Sequence, residues 1–330
     1  MTVLTPIFPL PRLTRAQAPL TCEIDAINEY GEHLQVAIPA ERALTVYVDK
    51  RELVTLMTLG AHPEWLVLGY LRNQRLVRSV HDIESITVDW DVGAAAVKTR
   101  HGIEDIEEKT SRRVVTTGCG QGSVFGGLMD EVDQLCLPAS ACITQGQLYG
   151  LVNTIRLKET TYKSAGSVHA CALFDTASSE PEMLLFVEDV GRHNAIDTIA
   201  GWMWMQGGAP MLPASRASLP SGAADFPGGG SPENDSTSPS AHPALPGNFV
   251  FYTTGRLTSE MVIKSAQMGV GIVVSRSGIT QMGHQVAQSV GLCAIGRATN
   301  KRFVCYASPE RLQMEPHLAH RPEAVATSPI

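Results

Sequence analysis

From Phe249 to Tyr306 the sequence alternates short β-prone runs with amphipathic segments, and this alternation limits the folds open to the chain. Phe249 to Thr253 reads as a strand. Ser259, as N-cap, opens a helix with Val262, Ile263 and Ala266 on one face, and Gly269 stops it. Val270 to Ser275 is strand-like, and Thr280 caps a helix whose Met282, Val286 and Val290 lie at i, i+4 and i+8 before Gly291. Leu292 to Ile295 and Phe303 to Tyr306 close the series as strands. Upstream, Ala141 to Leu157 is helix-like, Ser167 to Phe174 and Met183 to Val187 are strand-like, and Ala195 to Met205 is a helix. The pattern predicts an α/β layered fold with helices covering a largely buried sheet. No internal repeat is read from it.

The N-terminal third follows a different plan. Ala43 to Val48 and Glu52 to Met57 flank Asp49-Lys50, as a hairpin would. Pro63 then opens a helix through Trp65, Leu66, Leu68 and Leu71, and strands follow at Ser85 to Trp90 and Ala94 to Thr99. The expected organisation is an irregular extension over 1–40 and a small α+β domain over 41–108. The main domain covers 109–307, starting in the charged stretch Glu104 to Arg113, and a tail covers 308–330. Residues 207–247 contain 8 Pro, 7 Gly and 7 Ser, too little apolar surface to offset the entropy of ordering, and read as a disordered insertion between a helix and a strand.

Charge narrows the function. A net charge of -7 with no Lys/Arg-rich run lacks the basic face of a general nucleic-acid binder. Apolar runs such as Val270 to Val274 are far below the roughly 20 residues that cross a bilayer. Ala16-Gln17-Ala18 looks like a signal-peptidase site, but Pro6 and Pro9 break the preceding stretch and no basic residue precedes it, so a cytoplasmic protein is expected. The 7 scattered cysteines fit a reducing compartment.

Four places could carry chemistry. In Gly118-Cys119-Gly120-Gln121-Gly122, directly after a strand-like run, glycines leave Cys119 accessible as a nucleophile; the alternative is a small buried residue in a loop. Glu188-Asp189-Val190-Gly191-Arg192-His193-Asn194 stands where a strand ends and a helix begins, a usual ligand position in α/β sheets. Its plain structural alternative is a salt bridge with Asn194 as N-cap. His169, on a strand beside Cys171, reads as a satisfied core histidine. Thr254-Gly255-Arg256 repeats the strand-end, Gly, Arg arrangement, and Arg297, Lys301 and Arg302 place three cations in a six-residue loop suited to clamp phosphate. There is no Cys-x-x-Cys, no zinc-deaminase signature and no Gly-x-Ser-x-Gly elbow, so no metal site is expected.

Together, Glu188 to Ala195, the Gly-Cys-Gly loop at Cys119, Gly166-Ser-Val-His-Ala170 running into Ala172-Leu-Phe-Asp175, and Gly255 to Glu260 resemble, in their order along the chain, the FdhD family of formate dehydrogenase accessory sulfurtransferases. The resemblance runs from about Glu41 through Leu68-Gly69-Tyr70-Leu71 to Tyr306. It implies a cytidine-deaminase-like main domain without its zinc site, and a dimer. It also implies a cytoplasmic sulfur carrier that takes sulfane sulfur from a cysteine desulfurase and delivers it to the bis(molybdopterin guanine dinucleotide) molybdenum cofactor, bound as substrate, so that formate dehydrogenase becomes active. By position, Cys119 matches the persulfide-bearing cysteine. Arg297, Ala298, Thr299, Asn300, Lys301 and Arg302 match the cofactor-binding segment. Asp189, Arg192, His193 and Arg256 are supporting candidates, with Arg192 or His193 keeping the thiol ionised.

The chain departs from the family pattern at two places. Gly122 stands where a second cysteine is expected, leaving a single-cysteine persulfide, with Cys136 and Cys142 read as core residues. It also motivates an alternative, a non-catalytic carrier that hands the cofactor to formate dehydrogenase without moving sulfur. Position 297 is Arg where the family usually has an aromatic residue, and 301 is Lys where it usually has Gly.

Overall fold

The computed structural model describes residues 9–103, 106, 135, 137–158, 161–207 and 248–318. Cys119, Cys136 and the 208–247 part of the expected insertion lie outside the described residues, as does the strand-like run before Gly118.

The first sheet is built from β1 (Arg12–Leu13), β4 (Arg42–Val48), β5 (Arg51–Thr58), β6 (Ile83–Asp89) and β7 (Ala94–Thr99), in the order β1-β6-β7-β4-β5. Asp49 and Lys50 both take positive φ, 47° and 73°, which matches the right-handed twist of the β4–β5 hairpin. Helix α1 (Pro63–Asn73) follows, with Pro63 in its first turn as expected. Leu44, Val46, Leu66, Leu71 and Ile86 are all buried in the core between this helix and the sheet.

The extension over 1–40 is not irregular where it is described. Arg12 and Leu13 pair in parallel with Ser85 and Ile86, and β2 (Thr21–Ile27) pairs with β3 (His33–Pro39) as a hairpin. The turn is held by Asn28, whose side-chain oxygen accepts from Tyr30 N and Glu32 N, both at 3.0 Å. β2 is largely exposed and no residue of β3 is fully buried, so the apolar alternation that would reveal them is weak.

The second sheet has six strands in the order β10-β9-β11-β12-β13-β14. They are β9 (His169–Asp175), β10 (Glu182–Asp189), β11 (Phe249–Thr253), β12 (Ile272–Ser275), β13 (Cys293–Thr299) and β14 (Arg302–Ala307). β11, β12 and β13 are mutually parallel, and β9 runs antiparallel to both β10 and β11, so β10 shares their direction. Successive residues point to opposite faces. Leu173, Phe251, Val273 and Ala294 therefore meet α4 (Arg192–Met205), α5 (Ser259–Gln267) and α6 (Gln281–Ser289). Phe174, Tyr252, Val274 and Ile295 meet α2 (Gln145–Lys158), which follows the short strand β8 (Ile143–Thr144). The result is a mixed α/β fold with the helix–sheet–helix layering the alternation predicts.

Local chemistry moves several boundaries. Thr258, not Ser259, is the N-cap of α5, whereas Thr280 caps α6 as expected, accepting from Gly283 N at 3.1 Å. Helix α4 starts at Arg192 with Gly191 as N-cap, so Asn194 lies inside the first turn. The expected tail is partly ordered: β15 (Leu312–Gln313) pairs with β8, and Arg311 donates to Gly291 O at 2.9 Å and Pro138 O at 2.7 Å.

The two sheets meet where α1 crosses α4 at Gly69 and Gly201. A Cβ on Gly69 would stand 1.7 Å from Asp197 O, and one on Gly201 would stand 2.0 Å from Trp65 O. The crossing therefore tolerates no side chain at either position.

Candidate functional site

Because β10, β11, β12 and β13 are parallel, their carboxyl ends line one edge of the second sheet, and the first three lead into α4, α5 and α6 there. Helix N-termini present unpaired N–H groups and partial positive charge, so such an edge receives anions. Arg192 follows β10, Arg256 follows β11, Arg276 follows β12, and Arg297 lies near the end of β13. Arg256, Arg276 and Arg297 are exposed, whereas Arg192 is buried.

The loops carrying them are fastened to one another. Ser275 Oγ donates to Gly255 O at 2.7 Å, Arg276 N to Thr253 O at 3.0 Å, and Leu257 N to Gly278 O at 2.9 Å. Arg297 N donates to Ser277 O at 2.6 Å, tying the β13–β14 hairpin to the same edge. A Cβ on Gly255 would approach Arg192 Cδ to 2.7 Å, so the Gly255-Arg256 and Gly191-Arg192 motifs pack directly together. Arg276 also lies 5.8 Å above the ring of Tyr162, in α3 (Thr161–Ala165).

Asp189 is the structural member of the cluster. It accepts from Gly191 N at 2.9 Å and Asn194 Nδ2 at 3.0 Å through one oxygen, and from Thr58 Oγ1 at 2.5 Å and Leu59 N at 3.2 Å through the other. Burial pushes its carboxyl up, against the opposing pull of these hydrogen bonds. Glu188 accepts from Thr161 N and Tyr162 N at 2.8 and 3.0 Å. Both carboxylates thus serve backbone and neighbouring groups.

His193 stands at the head of a buried ionic chain. Its Nε2 is 3.2 Å from Glu260 Oε2, Glu260 Oε1 is 3.3 Å from Lys264 Nζ, and Lys264 Nζ is 2.9 Å from Asp197 Oδ2. Asp197 Oδ1 accepts from Asn73 Nδ2 at 2.7 Å, and Arg72 donates to Asn73 Oδ1 at 3.1 Å, carrying the chain into α1. Burial, outweighing Glu260, pushes His193 down to about 3, so the imidazole is neutral near pH 7 and cannot supply the positive charge expected of it. Neither of its ring nitrogens makes a hydrogen bond among the described residues, Nε2 standing only within ion-pair distance of Glu260, and Thr258 Oγ1 is likewise buried without one.

His169 is no core residue. It begins β9 half-buried, and burial, with Arg192 and Arg256 nearby, holds it below its ordinary value. Cys171 behind it is fully buried and pushed up to about 12, which makes it unreactive.

The structure thus brings Asp189, Arg192, His193 and Arg256 to one edge and sets the Arg297 to Arg302 hairpin beside them. Within that hairpin Ala298 is buried, whereas Thr299, Asn300, Lys301 and Arg302 are exposed. Sequence reasoning missed Arg276, and a signal was present. Strand, Arg, apolar residue and Thr cap occur twice in succession, in Arg256-Leu257-Thr258 and in Arg276 followed by Ile279-Thr280, and Leu257 bridges to Ile279. No helix among the described residues is long and apolar enough to cross a membrane. No group of three or more metal-binding side chains occurs among them.

Comparison with known proteins gives the family and the fold. The sequence profile of the FdhD/NarQ family matches residues 39–218 and 242–313. The chain is 29% identical over 294 residues to the sulfur carrier protein FdhD of Bacillus subtilis (strain 168), covering 86% of this chain and 94% of that protein. It is 26% identical to that of Bacillus pumilus (strain SAFR-032), covering 88% and 92%. The crystal structure of a protein from Desulfotalea psychrophila described as a formate dehydrogenase accessory protein shares the fold, with a TM-score of 0.62 and 20% identity over 89% of this chain and 100% of that one.

Proposed function

Since the chain belongs to the FdhD/NarQ family, we propose that it is a sulfur carrier that matures a formate dehydrogenase by sulfurating its bis(molybdopterin guanine dinucleotide) cofactor. The cofactor is cargo, held while sulfur is delivered. The observation that carries this reading is the cationic edge, where Arg192, Arg256 and Arg276 lead into three helices and Arg297 lies on the neighbouring hairpin, in a protein of net charge -7. Guanidinium groups hold phosphate oxygens in pairs, and helix N-termini add N–H donors, so this edge fits the cofactor's diphosphates.

Cys119 is the proposed sulfur-bearing residue. Its thiolate attacks the outer sulfur of a cysteine desulfurase's persulfide, forming a new S–S bond and releasing the desulfurase thiolate. The resulting Cys119 persulfide ionises more readily than the thiol and passes its outer sulfur to the cofactor, releasing the Cys119 thiolate, while the reduced metal of the cofactor supplies the two electrons that bring this sulfur to the sulfide level. With His193 neutral, Arg192 is the cation proposed to favour the ionised form. Action as a homodimer completes the proposal.

Two measurements test it. After incubation with a desulfurase and cysteine, the tryptic peptide containing Cys119 gains the mass of one sulfur, reversibly by dithiothreitol, and Cys119→Ala abolishes both the label and formate dehydrogenase maturation. If Cys119→Ala still supports maturation while charge reversal at Arg297 or Arg302 does not, the protein is a cofactor carrier that moves no sulfur.

A further inference from the structure

The hairpin ending in Arg297 to Arg302 has a cysteine on each of its strands. Cys293 lies on β13 and Cys305 on β14, and their sulfurs are 3.9 Å apart. Ile295 pairs with Cys305, but Ala294 pairs with Ala307, so β14 carries one extra residue at this point. Cys293 lies two residues before Ile295, on the same face, which makes the two thiols diagonal neighbours. That face is the one packed under α2.

The two thiols are not equivalent. Cys293 is fully buried, whereas Cys305, on the edge strand β14, is half-buried. Cys305 also contacts the carbonyl of Ala307 at 3.4 Å. A hydrogen bond from Cys293 stabilises the Cys305 thiolate and lowers its pKa despite burial, while the same bond and burial push Cys293 up. A less buried, more acidic thiol backed by a fully buried partner is the arrangement of an attacking and a resolving cysteine. Cys171, by contrast, faces a hydroxyl, Thr253 Oγ1, at 3.3 Å.

We propose that Cys293 and Cys305 form a redox-active dithiol that small-molecule disulfides such as oxidised glutathione convert to a cross-strand disulfide at the base of the Arg297–Arg302 hairpin. The Cys305 thiolate attacks one sulfur of the external disulfide, forming a mixed disulfide and expelling one thiolate, which takes up the proton Cys305 has lost. Cys293 then attacks the Cys305 sulfur, breaking the mixed disulfide and releasing the second small thiol, which carries the Cys293 proton. Two protein thiols lose two electrons and one disulfide becomes two thiols, so the exchange balances. The sulfurs must close from 3.9 Å to about 2.05 Å, and diagonal positions are wider than the usual disulfide span, so β13 and β14 shift as the bond forms. The proposal stands apart from sulfur transfer at Cys119.

The full-length protein is incubated with oxidised glutathione, its remaining thiols are alkylated, and tryptic peptides are mapped by mass spectrometry. Arg297, Lys301 and Arg302 lie between the two cysteines, so trypsin separates them unless they are bonded. The expected product is a linked pair of peptides, two hydrogens lighter than the reduced pair and separated by dithiothreitol, while exposed Cys22 acquires only a glutathione adduct. In Cys293→Ala the reaction stops at a glutathione adduct on Cys305, and in Cys305→Ala residue 293 stays unmodified. Absence of the linked peptides when Cys22 is fully glutathionylated overturns the proposal, as does alkylation of Cys293 as fast as Cys305 in the reduced protein.

Discussion

Asp189 accepts a 2.5 Å hydrogen bond from Thr58, a residue 131 positions earlier in the chain. With the bond from Leu59 N, it joins the end of β5 to the turn that opens α4. A residue from the longest family-like motif therefore fastens one sheet to the other.

Replacing Asp189 by Ala removes the acceptor from four donors, Thr58 Oγ1, Leu59 N, Gly191 N and Asn194 Nδ2. Leaving buried donors unsatisfied costs about 1–3 kcal/mol each before relaxation and water entry, so a net loss of about 3–5 kcal/mol is expected. Asp189→Asn, which keeps one acceptor oxygen, costs less. Urea unfolding midpoints measure both, and a loss below about 1 kcal/mol for the alanine variant would contradict the fastening role.

At the helix crossing, Gly201→Ala places a methyl 2.0 Å from Trp65 O. Backbone cannot yield as a flexible side chain does, so the variant is expected to lose more than about 4 kcal/mol or fail to fold, the upper end for single substitutions. Thermal unfolding against Gly278→Ala, where nothing lies within 4 Å of the added carbon, gives the comparison.

The neutral His193 makes stability depend on pH. Its folded pKa, about 3, lies below the ordinary histidine value of 6.5. As pH falls through 6.5 the unfolded chain takes up a proton that the folded chain refuses, so this contribution to stability is intact above 6.5 and is lost as pH drops towards 3. The slope is about 1.4 kcal/mol per pH unit for one such group. Glu260, Lys264, Arg192 and His169 face the ring, and His62 and His169 are also depressed, so the His193 share is read as the difference between wild type and His193→Gln from pH 7 to 5. Parallel curves would rule it out.

Arg256→Ala and Arg276→Ala are each expected to weaken binding of guanosine diphosphate, a fragment of the proposed cargo, by about tenfold without lowering the unfolding midpoint. Both side chains are exposed, so no core packing is lost, and one charge-assisted phosphate contact is worth about 1.4 kcal/mol. Titration calorimetry at two salt concentrations measures affinity and its electrostatic share. An unchanged affinity for both variants would remove this edge from the cargo site.

The layered fold could be read from sequence because β11, β12 and β13 are buried on both faces and the helices between them carry Thr caps and glycine stops. Arg192, Arg256 and the 297–302 hairpin were legible as cations at strand ends. Asp189 and His193 were named, but their work was not visible, because it depends on Thr58, Leu59 and Lys264, which only tertiary packing brings near. The β2–β3 hairpin escaped notice because strands with no fully buried residue need no apolar alternation. Arg276 escaped because its loop places Arg and Thr four residues apart, where the preceding loop places them two apart.

Backbone touching backbone between α1 and α4 has a mechanical consequence. Sliding of one structural layer past another relies on side chains exchanging rotamers at the contact, and Gly69 and Gly201 have none to exchange. The crossing is a weld that holds α1 and α4 in one relative position. Any opening needed to admit or release a bulky guest falls to the elements around the cationic edge, with the hairpin between β13 and β14 projecting furthest from the weld along the strand order.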